Sequence, residues 1–335
     1  MKALSLMEAG DVRVVDVPEP AVKDGELLLQ VEMVGLCGSD LNSFRGRNPL
    51  ITYPRVLGHE IAATVLEGNA SIPAGTHVAV SPYLGCGVCP ACTRGRENTC
   101  RHNLTYGVQR DGAFVERLAV APGKVFPSTL PLRYLCMVEP LTVGFHAAAR
   151  GRITKEDTVA VFGCGGVGLG AIAGAAFNGA RVIAIDLDDT KLATARLAGA
   201  AEVIHSGRED TATRLREMTQ GEGPDVVIEA IGLPSTFRLA VEVVAFAGRV
   251  VYIGYAKEPI AYETRLFVQK ELDILGSRNA LPQDFRRVVA MLETGRFPVD
   301  EAITTIVPLE RAPSMLSEWA ANPAGFTKIM VEVAQ

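Results

Sequence analysis

Apolar positions follow two different rhythms along this chain. Over residues 1–130, short β-like runs such as LLLQVEMVG, HVAVSPY and FVERLAV are punctuated by Gly and Pro, which predicts a mostly β region rich in loops. From Thr158 onward the texture changes. The runs TVAVFG, RVIAID, EVIH, DVVIEAIG, RVVYIG and LDILGS are apolar without polar alternation, and the helical stretches GLGAIAGAAFN, DTKLATARLA, TATRLREMT and STFRLAVEVVA lie between them. A strand covered on both faces has no solvent side on which to place polar residues. These runs therefore predict a parallel sheet with helices on each face, a doubly wound α/β domain. The rhythm stops after Gly276, and the tail from Ser277 ends in TKIMVEVA, a further β-like run expected to return to the first region. The expected division is residues 1–142 with 277–335 in one domain and residues 143–276 in the other.

Length agrees with two cores, since 335 residues exceed the usual size of one domain. Apolar residues make up 48% and charged residues 21%, a balance that supports a sizeable core and excludes a disordered or fibrous chain. Net charge is −5 and the isoelectric point about 5.7, with no block of like charges to track a phosphate backbone, so nucleic acid is not an expected partner. Glu8 and Asp11 interrupt the N-terminal apolar stretch before a signal-peptide core forms, and a cytoplasmic location is expected. One segment has the length of a bilayer span: Val159 to Phe177 is nineteen residues without a charge. Six glycines fall within it, four of them clustered behind the run TVAVF. That predicts a turn between a strand and a helix in place of one long helix, and no membrane partner.

The glycine cluster carries the first candidate chemistry. Gly163-Cys-Gly165-Gly166-Val167-Gly168 matches G-x-G-x-x-G between a strand and a helix, and Asp186 closes the next strand eighteen residues beyond Gly168. Glycine allows the backbone to turn sharply and approach a pyrophosphate closely, which then rests on free N–H groups at the helix start. A carboxylate at Asp186 accepts hydrogen bonds from both hydroxyls of an adenosine ribose and repels a 2′-phosphate. With Leu187 next and not an arginine, NAD is favoured over NADP. The competing reading is that the glycines serve only tight helix–strand packing, with Asp186 and Asp188 capping the following helix.

Of the seven cysteines, four fall within fifteen residues as C-x2-C-x2-C-x7-C: Cys86, Cys89, Cys92 and Cys100. An odd number of thiols in a chain expected in a reducing compartment argues against disulfides. Four thiolates this close suit a tetrahedral metal, and closed sulfur sites usually hold structural zinc. The C-x2-C-x2-C run also resembles part of a ferredoxin cluster motif, but the seven-residue gap before Cys100 departs from the three residues and proline found there. With every coordination position taken by sulfur, such an ion has no place for water or substrate. The cluster is expected to staple its lobe and not to react.

A second set of candidate ligands is dispersed. Cys37-Gly-Ser39-Asp40 and Gly58-His59-Glu60 bring a thiol, an imidazole and carboxylates into the first domain, and Glu139-Pro140 stands at the junction with the second. Singly, each such residue is more often packed than ligating. Taken in order, the stretches CGSD (37–40), GHE (58–60), the four-cysteine lobe, EPL (139–141), GCGGVG (163–168), EAIG (229–232) and KELDILGS (270–277) resemble the zinc-dependent medium-chain dehydrogenases in their sorbitol and threonine dehydrogenase branch. The matching stretches span nearly the whole chain.

The resemblance implies a GroES-like catalytic domain joined to a Rossmann domain, one catalytic and one structural zinc in each subunit, NAD as the cofactor, and a homodimer or homotetramer. It implies that Cys37, His59 and a carboxylate hold the catalytic zinc, with Glu60 the usual third ligand and Glu139 either holding the zinc-bound water or replacing it. It places Ser39 beside the substrate oxygen as a proton carrier. It places the cofactor against Gly163, Gly165, Gly166, Val167, Gly168, Asp186, Ala230, Ile231, Gly254 and Arg278. Asp40 is expected to accept the second N–H of His59 and fix its tautomer, or, on the plainer reading of an Asp beside Gly and Ser, to cap the loop.

An open position on that zinc sets the expected reaction: Lewis acidity favours the alkoxide of a bound alcohol, whose carbon releases hydride to the nicotinamide. Asn42 departs from the pattern, because many relatives carry His two residues after the Asp and an amide does not titrate. The proton is expected to leave through the ribose hydroxyls, water or Glu60. Arg45, Arg47, Arg55 and Arg278 fall near the candidate site. A guanidinium fork suits an anionic end on the substrate, although surface arginine needs no such role. A polyol or an aldonic acid such as a hexonate, oxidised at a secondary hydroxyl, is the expected substrate class, with L-threonine oxidation as the alternative. A catalytically silent NAD-binding sensor would lack a ligand or relay residue, and Cys37, His59, Glu60, Glu139 and Ser39 are all present.

Overall fold

A computed structural model describes residues 1–256 and 258–334. The chain separates into two compact units, one comprising Met1–Glu139, Leu281–Glu293 and the chain from Val299 onward, the other Pro140–Ala280 with Thr294–Pro298.

In the first unit, strand Leu27–Leu36 is the hub, pairing antiparallel with Glu60–Glu67, Arg117–Val120 and Ile329–Glu332. Its side chains alternate between buried and half-exposed up to Glu32 and are buried without interruption from Met33. The strand thus loses its solvent face just before Cys37. His77–Val80, Val125–Pro127 and Thr305–Pro308 complete a seven-stranded sheet, and Asp11–Asp16, Lys2–Glu8 and Arg55–Val56 form a second sheet of three. Leu4, Leu29, Val34, Leu57, Phe114 and Leu316 belong to the core they share.

The second unit holds six parallel strands in the order Glu202–His205, Arg181–Asp186, Thr158–Phe162, Val226–Glu229, Arg249–Tyr252, Asp273–Gly276. Every apolar run of the sequence between Thr158 and Gly276 is one of these strands, and helices Gly166–Phe177, Asp189–Leu197, Thr211–Met218 and Pro234–Val243 follow the first four in chain order. The uncharged segment from Val159 is therefore a strand, a turn and a helix of 12 residues. Among the described residues no helix is long and apolar enough to cross a membrane. The chain steps outward from Thr158–Phe162 in one direction and then crosses back to build the other half. Such a reversal opens a crevice at the C-terminal ends of the two strands on either side of it. Gly163 follows one of those strands and Ala230 the other.

Candidate active site

Cys37 directly follows the hub strand, and helix Gly38–Phe44 begins at once behind it. The Asp40 carboxylate accepts the Cys37 backbone N–H at 2.9 Å and caps that short helix. Asp40 Oδ1 stands 3.8 Å from His59 Nδ1, beyond hydrogen-bond reach, and Nδ1 is buried without a hydrogen-bond partner. Asp40 therefore acts on His59 as a nearby charge, while its hydrogen bond is the capping one. His59 Nε2 lies 3.3 Å from Ser39 Oγ.

Glu60 opens strand Glu60–Glu67 opposite Gly35 and is fully buried. A Cβ on Gly35 would stand 1.9 Å from Glu60 Oε2, so the carboxylate lies where only glycine leaves room. The donor atoms of Cys37, His59 and Glu60 all lie within 4.8 Å of one another. Thiolate, imidazole and carboxylate are the three ligand types zinc takes, and the spacing lets them share one ion. Among the described residues, Glu139 is not within that group. It sits in the first turn of helix Val138–Arg150, buried, and accepts a hydrogen bond from the Tyr83 hydroxyl.

Behind Glu60 is Lys328, 5% exposed, whose ammonium donates to both Glu60 oxygens at 2.6 Å and to the Leu36 carbonyl at 3.3 Å. Its three N–H donors are all used. Each Glu60 oxygen retains a second lone pair, so the ion pair and metal ligation are compatible. Burial pushes the Glu139 carboxyl up to about 7, helped by the neighbouring Glu60 and opposed by His59, Tyr83 and Lys328. Burial also works against the His59 imidazolium, but Asp40 and Cys37 outweigh it and hold the ring well above the ordinary histidine value. Asp40, Glu60 and Glu139 thus face both Lys328 and the His59 ring, and ligation of a divalent cation would require that ring in its neutral form.

The four cysteines of the lobe also converge within 4.8 Å, with Cys89 Sγ 3.6 Å from Cys92 Sγ and 3.8 Å from Cys100 Sγ. A zinc–sulfur bond of about 2.3 Å at the tetrahedral angle requires sulfurs about 3.8 Å apart. Backbone N–H groups of Cys86 and His102 point at Cys100 Sγ at 3.3 Å, and the N–H of Cys92 helps hold the Cys89 thiol down to about 6. Both separations meet that requirement, and all four sulfurs lie close enough to share one ion.

In the second unit the glycines differ in purpose. Gly163 takes φ +96°, a turn other residues resist, and a Cβ there would stand 2.8 Å from Ile231 Cγ1. Gly168 packs so closely that its Cβ would fall 1.9 Å from the Gly163 carbonyl. Gly165 is the reverse: it precedes helix Gly166–Phe177 with no side-chain cap and faces open space, where an anion would meet the first-turn N–H groups that include Val167. Asp186 accepts the N–H of Cys164 at 2.7 Å through one oxygen, and those of Leu187 at 2.7 Å and Asp188 at 3.2 Å through the other. A carboxylate has about four acceptor positions, so this arrangement has room for one ribose hydroxyl where two were expected. Asp188, in contrast, caps helix Asp189–Leu197 through the Lys191 N–H at 3.0 Å. Ala230 and Ile231 stand against Gly163, Gly254 stands against Gly232, and exposed Arg278 lies two residues beyond strand Asp273–Gly276.

Two of the four candidate arginines are engaged elsewhere. Arg45 donates to the Ala320 carbonyl at 2.6 Å, and Arg55 donates to Asp111 at 3.0 Å and Thr52 at 2.6 Å. Arg47 is exposed on the segment after helix Gly38–Phe44.

Residues 23–131 match the alcohol dehydrogenase GroES-like domain and residues 166–294 the zinc-binding dehydrogenase family. An uncharacterised zinc-type alcohol dehydrogenase-like protein of Haemophilus influenzae is 35% identical over 336 residues, covering 98% of each chain. L-Galactonate-5-dehydrogenase of Escherichia coli K12 is 33% identical over 297 residues, covering 88% of this chain and 87% of its own. The chain belongs to the zinc-dependent medium-chain alcohol dehydrogenases. A crystal structure of an alcohol dehydrogenase from Escherichia coli CFT073, complexed with NADH, matches it with a TM-score of 0.91 at 29% identity over 99% of each chain.

For this medium-chain dehydrogenase, sequence reasoning missed three residues at the dispersed site. Lys328 had a signal: it is a lone cation next to the apolar core of a run that reads as a buried strand, which demands a buried partner. Gly35 had a weaker one, a glycine inside a strand run, where close approach is the usual reason. Tyr83 had none, because its contact with Glu139 joins positions 56 residues apart.

Proposed function

We propose that the protein oxidises a secondary hydroxyl of a polyol or an aldonic acid, transferring hydride to NAD. The observation that carries this reading is the convergence of the Cys37, His59 and Glu60 donor atoms within 4.8 Å. With three protein donors, a bound zinc ion would keep room for a substrate oxygen, which the four-sulfur lobe would not offer. Cys37, His59 and Glu60 would hold a zinc ion, which when bound supplies Lewis acidity that lowers an alcohol's pKa, and the Gly163–Gly168 crevice would hold NAD as hydride acceptor.

Ser39 Oγ, 3.3 Å from His59 Nε2, is a hydroxyl at the donor set and takes the alcohol proton outward. Asn42, on the same helix, does not carry it further because an amide does not titrate. Both Glu60 oxygens are engaged by Lys328, which favours water and the cofactor ribose as the exit route over Glu60. Glu139 and Asp40 shape the charge around the donors. The 33% identity with L-galactonate-5-dehydrogenase supports the aldonic-acid end of the substrate class, and Arg47 is the candidate reader of a substrate carboxylate.

Mixing the purified protein with NAD and a panel of polyols, hexonates and L-threonine, while following NADH absorbance, tests the reading. A signal with a polyol or hexonate and zinc bound at both donor sets is the expected result. Turnover of threonine alone would move the substrate class, and no turnover across the panel would overturn the reading.

A further inference from the structure

Glu229 closes strand Val226–Glu229 at the place where the order of the parallel sheet reverses, and it is 0% exposed. Its Oε1 accepts three hydrogen bonds: from the Ile231 N–H at 3.0 Å, the Gly232 N–H at 2.8 Å and the Thr236 hydroxyl at 2.7 Å. Its Oε2 is buried without a hydrogen-bond partner. Burial pushes the carboxyl upward against the bonds to Thr236, Gly232 and Ile231. An acid enclosed in this way is costly, and ending a strand does not require one.

The carboxyl ties loop 230–232 to helix Pro234–Val243, and the backbone of the same residue ties the segment after strand Arg249–Tyr252. The Glu229 carbonyl accepts the N–H groups of Ile253 at 2.9 Å and Gly254 at 3.2 Å. A Cβ on Gly254 would stand 2.7 Å from Glu229 Oε2 and 2.5 Å from the Gly232 nitrogen, so loop 230–232 and Gly254 meet over the side chain with no room to spare. On its other flank the same loop presses on the glycine turn, through Ile231 against Gly163. Asp186 ends the strand on one side of Thr158–Phe162, and Glu229 ends the strand on the other. A dinucleotide lying across this reversal with its adenosine ribose at Asp186 and its pyrophosphate at Gly165 places its nicotinamide half on the Glu229 side.

We propose that Glu229 is a positioning residue for the nicotinamide half of NAD, fixing loop 230–232 and Gly254 in one frame without touching the cofactor, a role that rests on the assignment of NAD to this crevice. ADP-ribose, which lacks the nicotinamide, separates this from a general structural role. In titrations of the zinc-loaded protein, Glu229→Ala weakens NAD about 10-fold or more and ADP-ribose by no more than about 2-fold, as loss of a hydrogen-bonded frame on one half predicts. Glu229→Gln, which keeps the Oε1 acceptor, stays within about 3-fold of wild type for both ligands. The fluorescence of bound NADH changes in the alanine variant and not in the glutamine one. If Glu229→Ala does not fold, Thr236→Val removes one of the three bonds and weakens NAD about 3-fold with ADP-ribose unchanged. Parallel weakening of both ligands, or of neither, overturns the proposal. A wild-type protein that binds neither ligand overturns the assignment of NAD itself.

Discussion

The four-cysteine lobe draws its donors from Cys86 to Cys100, whereas the dispersed site takes Cys37 from the end of one strand, His59 and Glu60 from the start of its neighbour, and its counter-charge from Lys328 near the chain's end. In the lobe, the helical turn Pro90–Thr93, the turn Glu97–Thr99 and local backbone hydrogen bonds gather four sulfurs that would fill every position of a tetrahedral ion. At the dispersed site the sheet holds the donors. The hub strand, Gly35 and the Lys328 ion pair fix Glu60, so the site does not need a fourth protein ligand to keep its shape. That is the condition for leaving a coordination position open for chemistry.

The largest effect expected from this contrast is on turnover. Cys37→Ser should lower kcat/KM by about ten-thousand-fold, with NADH affinity within about 2-fold of wild type and the lobe zinc retained, as steady-state rates, fluorescence titration and metal analysis will show. Cys89→Ser should instead remove the lobe zinc and lower the melting temperature. If Cys37→Ser also strips the lobe or abolishes NADH binding, the two sites are not independent.

A smaller effect tests what holds the open site. Lys328→Met strands a buried carboxylate and should destabilise the protein by about 3–5 kcal/mol in denaturant unfolding, while pairing it with Glu60→Gln should recover most of the loss. A single mutant as stable as wild type would mean that Glu60 is not held by charge.

The smallest concerns whether the same contrast extends to the cofactor crevice. There the glycine motif is contiguous, but Asp186 is tied back to it through the Cys164 N–H at 2.7 Å. Asp186→Arg should move the NAD-to-NADP affinity ratio towards NADP by about 10- to 100-fold, mostly by weakening NAD, because the arginine cannot accept that N–H. An unchanged ratio would remove Asp186 from the ribose.

Legibility in the sequence followed the range of each interaction. The four inner strands were readable because burial on both faces writes an apolar run along each, the edge strands Glu202–His205 and Asp273–Gly276 followed the same rhythm while more exposed, and the glycine motif was readable because a turn of positive φ and a close packing contact each require glycine on the spot. The role of Asp40 was harder. Its helix cap and its approach to His59 involve the same carboxylate, and a 3.8 Å separation from the ring is not encoded in residue spacing. Arg45 and Arg55 resembled substrate-reading groups until the fold supplied Ala320, Asp111 and Thr52 as partners.

By itself, the sequence determined the doubly wound sheet, the four-cysteine cluster and the glycine turn, because each depends on neighbours a few positions away or on a periodicity that repeats along the chain, whereas the dispersed donors were proposed from the resemblance of ordered motifs to a family. Only the tertiary structure decided that Glu60 is backed by Lys328, that Gly35 makes room for it, that Tyr83 holds Glu139 and that Gly254 closes over the Glu229 carboxyl at the reversal of the sheet. These are contacts between groups brought together by strand pairing and burial, and such a contact selects partners by position in space, to which distance along the chain is no guide.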